Sequence, residues 1–378
     1  MKKTKTHQKS PKTSTSTAAS DTAVAPALET RSCTIGLDLG DAQHAYCVLD
    51  ADAKIVARGR VRNDRESLGQ LLGKWSGAKV ILEAGTHSPW IVRLLEAAGH
   101  AVVLANPRKT RSIWQNKQKD DDRDAEQLAR LGRADPSLLH PLKHRGEQTQ
   151  RDLIWLKTRD LLVRQRGDAV RTIRNLLKSL GMKLPSGWST ESFAGKCRRH
   201  LAESTELALM EPLLVVIESS NAQIQEIDRE IARLIAERYP AAARLQSVRG
   251  VGPITALSFV LIVEEPERFR KNRRAVGNYL GLTPKRDQSG EVDKQLRITK
   301  EGPSTLRRLL VSCAHYIMGP FGEPSALREA GERIAERGAK NARKRAVIAV
   351  ARKLSVVLLT LWQKPDEVYQ PFPARQAA

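Results

Sequence analysis

A chain of 378 residues, 40% of them hydrophobic, is long enough for two or three domains and too apolar to be disordered throughout. Its 64 Lys and Arg against 42 Asp and Glu leave a net charge of +22, which points to a polyanionic partner. The four cysteines (Cys33, Cys47, Cys197, Cys313) form no CxxC pair, which argues against zinc-finger and disulfide scaffolds and fits a reducing cytoplasm. No run approaching the ~18 apolar residues of a membrane span, and no signal-peptide core after the basic start, is expected.

Residues 1–31, rich in Lys, Ser, Thr and Ala, read as a disordered basic tail. Order begins at Cys33. The alternating Ile35-Gly36-Leu37-Asp38-Leu39-Gly40 and the segments Ala45 to Leu49 and Lys54 to Arg60 predict an antiparallel three-strand meander. Leu68, Leu71 and Leu72 give Arg65 to Trp75 a helical period. A short strand over Val80-Ile81-Leu82 ends on Glu83. A helix from Pro89 to Ala98, a strand over Ala101 to Leu104, a basic linker and a helix over Asp121 to Leu131 follow. Strands and helices in this order predict an α/β domain over residues 32–146 with antiparallel and parallel parts.

Over 147–240 the chain turns helical. Leu156, Val163, Val170 and Leu177 recur at heptad spacing, and Leu213, Ile217, Ile224, Ile227, Ile231 and Leu234 at three/four spacing. These seams predict a coiled-coil linker of two long helices, paired as a hairpin or across subunits. A mainly α domain is expected over 241–364, with basic clusters at Arg268 to Arg274 and Arg343 to Arg345. Helices are expected over Pro303 to Met318, Ser325 to Arg337 and Ala342 to Trp362, and a loose tail over 365–378.

The first candidate site is acidic. Asp38 interrupts an apolar strand, where an ionised carboxylate is costly unless paired or metal-bound. Glu83 ends a second strand, and Asp121 and Asp124 share a helical face. If the first and fourth strands are neighbours, four carboxylates converge at one sheet edge as hard oxygen ligands suited to Mg²⁺ or Mn²⁺. Two such ions can serve phosphodiester chemistry. Taken singly, Asp121 and Asp124 could equally cap a helix, and Asp38 could pair with a basic residue. The second candidate is Gly250-Val251-Gly252 before the helix at Pro253, either a phosphate contact or a tight interhelical turn. The third is Ser289 in the polar loop Gln288-Ser289-Gly290, with Arg286, Lys294, Arg297 and Lys300 nearby. An isolated Ser-Gly of this kind is ordinarily a turn. Arg164, Arg166, Arg171 and Arg174 cluster in the helical linker. With only 4% aromatic residues, phosphate contacts should outweigh base-stacking platforms.

Ile-Gly-Leu-Asp38-Leu-Gly, Leu-Glu83-Ala-Gly and Lys119-Asp-Asp121-Asp-Arg-Asp124-Ala-Glu-Gln-Leu-Ala together resemble the DEDD set of the insertion-sequence one-ten transposases. Val-Arg-Gly-Val-Gly-Pro-Ile-Thr-Ala, Tyr279-Leu-Gly-Leu-Thr-Pro, Gln-Ser289-Gly and Ile298-Thr-Lys-Glu-Gly resemble the second signature of that family. The resemblance runs from residue 33 to about 363; the long basic tail and Asp120 depart from it. It implies an α/β RNase H/RuvC-like N-terminal domain, a coiled-coil linker and a mainly α C-terminal domain. It further implies Asp38, Glu83, Asp121 and Asp124 as metal ligands, and Ser289 as a nucleophile that bonds transiently to DNA. DNA as substrate, a noncoding guide RNA, a homo-oligomer with an active site shared between subunits, and a nucleoid-associated prokaryotic setting complete the expectation. A metal-only junction resolvase or nuclease is the competing reading, and a non-catalytic nucleic-acid binder a third.

Overall fold

The computed structural model describes residues 33–110, 120–289, 292–338 and 340–372, so the basic tail expected over 1–31 lies outside the described residues. The chain divides into two compact units, Met1–His144 and Arg145–Ala378.

The first unit is built on a five-stranded sheet of order β3-β2-β1-β4-β5, formed by β1 (Thr34–Asp38), β2 (Gln43–Leu49), β3 (Ile55–Arg62), β4 (Lys79–Glu83) and β5 (Ala101–Ala105). The predicted meander is present: β1–β2 and β2–β3 pair antiparallel. β1, β4 and β5 are parallel neighbours, which makes the first and fourth strands adjacent. Parallel strands need crossovers, and α1 (Arg65–Gly73) and α2 (Ser88–Ala97) supply them. Asp64 caps α1, its Oδ1 accepting from Ser67 N at 2.7 Å. Leu68, Leu71, Leu72, Ile91 and Leu95 pack with Ile35, Leu37, Val80 and Leu82 in one core. After the short α3 (Pro107–Thr110), helix α4 (Asp121–Ala134) covers the sheet, with Ala125 and Ala129 against Ala45, Cys47 and Leu49, and Leu128 against Ile81.

The second unit opens with an antiparallel pair, α5 (Glu147–Ser179) and α7 (Glu206–Glu237), with α6 (Phe193–His200) between them. The direction follows from three cross-helix contacts: Arg238 meets Asp152 at 2.8 Å, Arg159 meets Asp228 at 3.0 Å, and Arg166 meets Asn221 at 2.7 Å. The seams predicted by heptad spacing are covered within the chain. Ile217, Ile224, Ile227, Ile231 and Leu234 are all buried, as are Leu156 and Leu177. Of the two pairings the seams allow, a hairpin or a pair across subunits, the chain's own antiparallel helix provides the first.

The rest of the unit comprises α8 (Pro240–Leu245), α9 (Pro253–Val263), α10 (Ala275–Tyr279), a hairpin of β6 (Pro284–Ser289) and β7 (Val292–Ile298), α11 (Ser304–Ile317), α12 (Ala326–Ala335) and α13 (Ala342–Gln363). One core joins Leu156 and Ile231 with Phe259, Leu310 and Leu354. Three sequence expectations need correction. The polar loop around Ser289 is a β-hairpin, because residues 284–289 and 292–298 pair as antiparallel strands despite their low apolar content. The four linker arginines are engaged inside the chain. Arg164 pairs with Asp160 and Arg166 with Glu191, Arg171 pairs with Asp168, and Arg174 donates to Leu184 O and Pro185 O while stacking on Phe193. Finally, α13 is long and apolar enough to cross a membrane, with a mean hydropathy of 1.5, although half of that stretch is buried inside the unit.

Candidate active site

Asp38 is the last residue of β1 and Glu83 the last of β4. In the parallel register Leu37 faces Leu82, so the two carboxyl-bearing residues follow side by side at one end of the sheet. Strand alternation puts Asp38 on the face of Gly36, and Glu83 on the face of Ile81. That face is the one α4 covers. A Cβ on Gly36 would lie 1.9 Å from Ala125 O, and one on Gly132 2.1 Å from Ile81 Cγ1. The missing side chains let helix and strands approach to backbone distance.

The direction of α4 is fixed by its arginine contacts. Arg58, opposite Cys47, pairs with Glu126 at 3.3 Å, while Arg60, opposite Ala45, pairs with Asp122 at 3.6 Å. Ala45 is in turn opposite Asp38. Toward its N-terminus, α4 therefore runs toward the sheet end that carries Asp38 and Glu83. Asp121 and Asp124 occupy its first turn, and Asp121 shares the stripe of Ala125 and Ala129 that faces the sheet. Asp120 is the N-cap, its side chain accepting from Asp122 N at 3.2 Å. The N-cap hydrogen bond is thus made by Asp120, not by Asp121 or Asp124. All four candidate carboxylates are half-buried.

Residues that sequence reasoning passed over also hold this edge. Thr110, itself buried, donates its hydroxyl to Glu83 Oε1 at 2.8 Å, which fixes that carboxylate. The turn after Asp38 is tight: a Cβ on Gly40 would lie 2.3 Å from Gln43 O, and Asn63 Nδ2 donates to Asp41 O at 2.8 Å. His87 Nε2 contacts Asp41 Oδ1 at 2.9 Å, and His144 Nε2 contacts Ser88 Oγ at 2.9 Å. His44, fully buried on β2, has its pKa pushed down by burial, so its imidazole stays neutral at pH 7. Of these, only the Gly40 turn left a sequence signal, because a Thr or His contact across strands has no local pattern.

The four acidic residues are an all-oxygen donor set of the kind a hard divalent cation takes. Among the described residues no three His, Cys, Asp or Glu side chains are drawn close enough to hold an ion. The edge gathers the residues; their carboxylates are not gathered on one point.

In the second unit Ser289 ends β6, its backbone paired with Val292; its side chain, Gly290 and the Lys294 side chain lie outside the described residues. Gly250 has a φ of +88°, and a Cβ there would lie 2.7 Å from Tyr316 Cδ1, so this glycine serves a tight turn packed on α11. Gly252 is the N-cap of α9 with open space around it.

A family model described as Transposase, of the DEDD IS110 type, matches residues 35–182, and a second, described as Transposase IS116/IS110/IS902 family, matches residues 242–328. The transposase for insertion sequence element IS1328 of Yersinia enterocolitica is 28% identical over 293 residues, spanning 75% of this chain and 83% of that relative. The putative transposase y4qE of Sinorhizobium fredii is 28% identical over 295 residues, 74% of this chain and 70% of its own. The transposase for insertion sequence element IS1111A of Coxiella burnetii is 25% identical over 291 residues, with shares of 75% and 77%.

Proposed function

Because the chain belongs to the IS116/IS110/IS902 family of insertion-sequence transposases, we propose that it cleaves and exchanges DNA strands through an acidic metal site and a serine nucleophile. The observation that carries this is the sheet end at which Asp38 and Glu83 stand on adjacent parallel strands, with the first turn of α4 directed toward it. Strand order β3-β2-β1-β4-β5, with the first two pairings antiparallel and the rest parallel, supports an RNase H/RuvC-like reading of this unit.

Asp38, Glu83, Asp121 and Asp124 would hold Mg²⁺ or Mn²⁺, and such an ion supplies charge stabilisation at the attacking and leaving oxygens. The protein's own part is placement. Thr110 holds Glu83 by a hydroxyl-to-carboxylate hydrogen bond, which leaves the second carboxylate oxygen as an acceptor. The close packing of α4 on Gly36 fixes the height of Asp121 and Asp124 above the sheet.

In the serine step, the Ser289 oxygen bonds to phosphorus as the bond from phosphorus to one deoxyribose oxygen breaks, and the hydroxyl proton passes to the leaving oxygen. The DNA is then held as a phosphoserine ester until a second strand's hydroxyl reverses the exchange. A hairpin carrying Lys285, Arg286 and Arg297 places positive charge next to this residue in sequence and suits an approach to phosphate. The family resemblance, together with the +22 charge, supports an element-encoded RNA as a further partner and a homo-oligomer as the working form.

The test is an excision assay on a plasmid bearing the element ends, with trapping of the covalent adduct. Ser289→Ala is expected to keep DNA binding and lose the adduct. Asp38→Asn is expected to lose metal-dependent cleavage. An adduct that survives in Ser289→Ala, or maps to another residue, overturns the serine assignment and leaves the metal-only nuclease reading.

A further inference from the structure

The second unit contains a cavity of about 780 Å³ between α13, α12, the start of α10 and the segment that follows α13. Its volume lies in the range of small-ligand sites. Part of the lining is apolar: Val356, Val357 and Leu361 of α13 line it together with Tyr369. The tail bearing Tyr369 is strapped in place, since Ala326 N donates to Pro371 O at 2.9 Å.

The mouth is cationic. Arg274, Arg352 and Lys353 line it, are exposed, and make no side-chain hydrogen bond or ion pair among the described residues. This contrasts with their neighbours in the basic run. Arg268 stacks on Tyr279, Arg270 pairs with Glu267, and Arg273 donates to Gln363 Oε1 at 2.7 Å. A Cβ on Gly277 would lie 2.7 Å from Arg352 Cγ, so the stem of Arg352 is packed against α10. The one acidic residue of the lining, Glu367, is neutralised by Lys364.

An apolar lining with three exposed positive charges at its rim suits a molecule with an apolar ring body and an anionic backbone. We infer that this cavity receives an unstacked nucleotide of a single DNA strand, its base against Val356, Val357 and Tyr369 and its flanking phosphates on Arg274, Arg352 and Lys353. Burial raises the pKa of Tyr369, so its phenol stays neutral and its ring faces the base without charge. The inference rests on the proposal that DNA is the substrate. It adds a place where the protein distinguishes an opened strand from a duplex, because a base must leave its stack and its pair before side chains can enclose it.

The experiment is fluorescence anisotropy of the full chain with a labelled oligothymidylate of about 20 nucleotides and with a duplex of equal length, each over a salt series. Val357→Trp fills part of the cavity and leaves the charges. It is expected to weaken single-strand binding about tenfold and leave duplex binding unchanged. The triple variant Arg274→Gln, Arg352→Gln, Lys353→Gln changes only exposed side chains, so it folds even if the tryptophan variant does not. It is expected to lower the single-strand salt slope by about 2. Single-strand affinity unchanged in both variants overturns the inference. So does a loss on Val357→Trp seen equally with duplex, or seen only with an RNA strand of the same length. Asp38→Asn separates this from the functional proposal: it should bind both probes like the parent while losing cleavage.

Discussion

Two residues at the sheet end differ in how much the fold depends on them. Asp38 closes a strand without contributing to the apolar core, so Asp38→Asn should leave the melting temperature nearly unchanged and reduce strand cleavage by roughly 10²- to 10³-fold. Gel assays of nicking alongside a thermal melt check both halves. Thr110 is different, for it acts on Glu83 rather than on DNA. Thr110→Val keeps the shape and loses one hydrogen bond to a carboxylate, about 2 kcal/mol. Its cleavage should fall less than tenfold, with the metal concentration at half-maximal activity raised. Thr110→Ser, which restores the hydroxyl, should recover most of it. Equal behaviour of the valine and serine variants would exclude the positioning role.

At the level of the element, contact between α4 and β1 decides whether the acidic residues meet at all. The space over Gly36 is filled by helix backbone, which cannot turn aside as a side chain can. Gly36→Val is therefore expected to displace α4 and cost several kcal/mol, about 3 or more by the measure of overpacked cores, with cleavage lost together with the fold of the first unit. The α5–α7 pair carries a pH-sensitive lock. Asp152 is buried, which by itself would raise its pKa, but hydrogen bonds from Tyr239, Arg238 and Gln148 outweigh burial and hold it below the usual carboxylate range. Burial and the Asp152 carboxylate push Tyr239 up to about 12. A depressed acid stabilises the fold above its unfolded pKa and loses that contribution as pH falls through the folded value. The raised phenol stabilises the fold fully below about 10 and loses its share as pH rises through about 12. Asp152→Asn should cost about 2 kcal/mol at neutral pH. It should also flatten the acid limb of a plot of melting temperature against pH, while a parallel acid limb in the variant would show that the lock lies elsewhere.

For the molecule as a whole, the net charge of +22 is the dominant property, although many of the 64 Lys and Arg behind it are engaged within the chain. Arg159, Arg166, Arg198 and Arg238 all bind carboxylates within the helical pair and its cap. DNA affinity should still fall steeply with salt, because phosphate contacts release counterions. Neutralising Arg164 and Arg171 should change that slope little, since both already have acidic partners on their own helix. A salt titration of the double glutamine variant is the check. Assembly follows the same logic. Ile224 and Ile231 are buried by the chain's own helices, so changing both to Asp should unfold the second unit rather than merely dissociate an oligomer. Circular dichroism beside light scattering separates the two outcomes.

The sequence by itself determined the meander, the two crossovers, the long helices and the family, because alternation, helical period and the spacing of Asp38, Glu83, Asp121 and Asp124 are local or ordered along the chain. It could not choose between a hairpin and a subunit partner for the heptad seams, since the apolar stripe is the same in both; the register of Asp152 with Arg238 and of Arg166 with Asn221 decided for the hairpin. It also could not separate the free cations from the engaged ones. Arg274 and Arg273 are neighbours in one basic run, and only their three-dimensional surroundings give Gln363 to one and an open cavity mouth to the other. Charge is written residue by residue, but whether it is available to a phosphate depends on what the fold has already placed beside it.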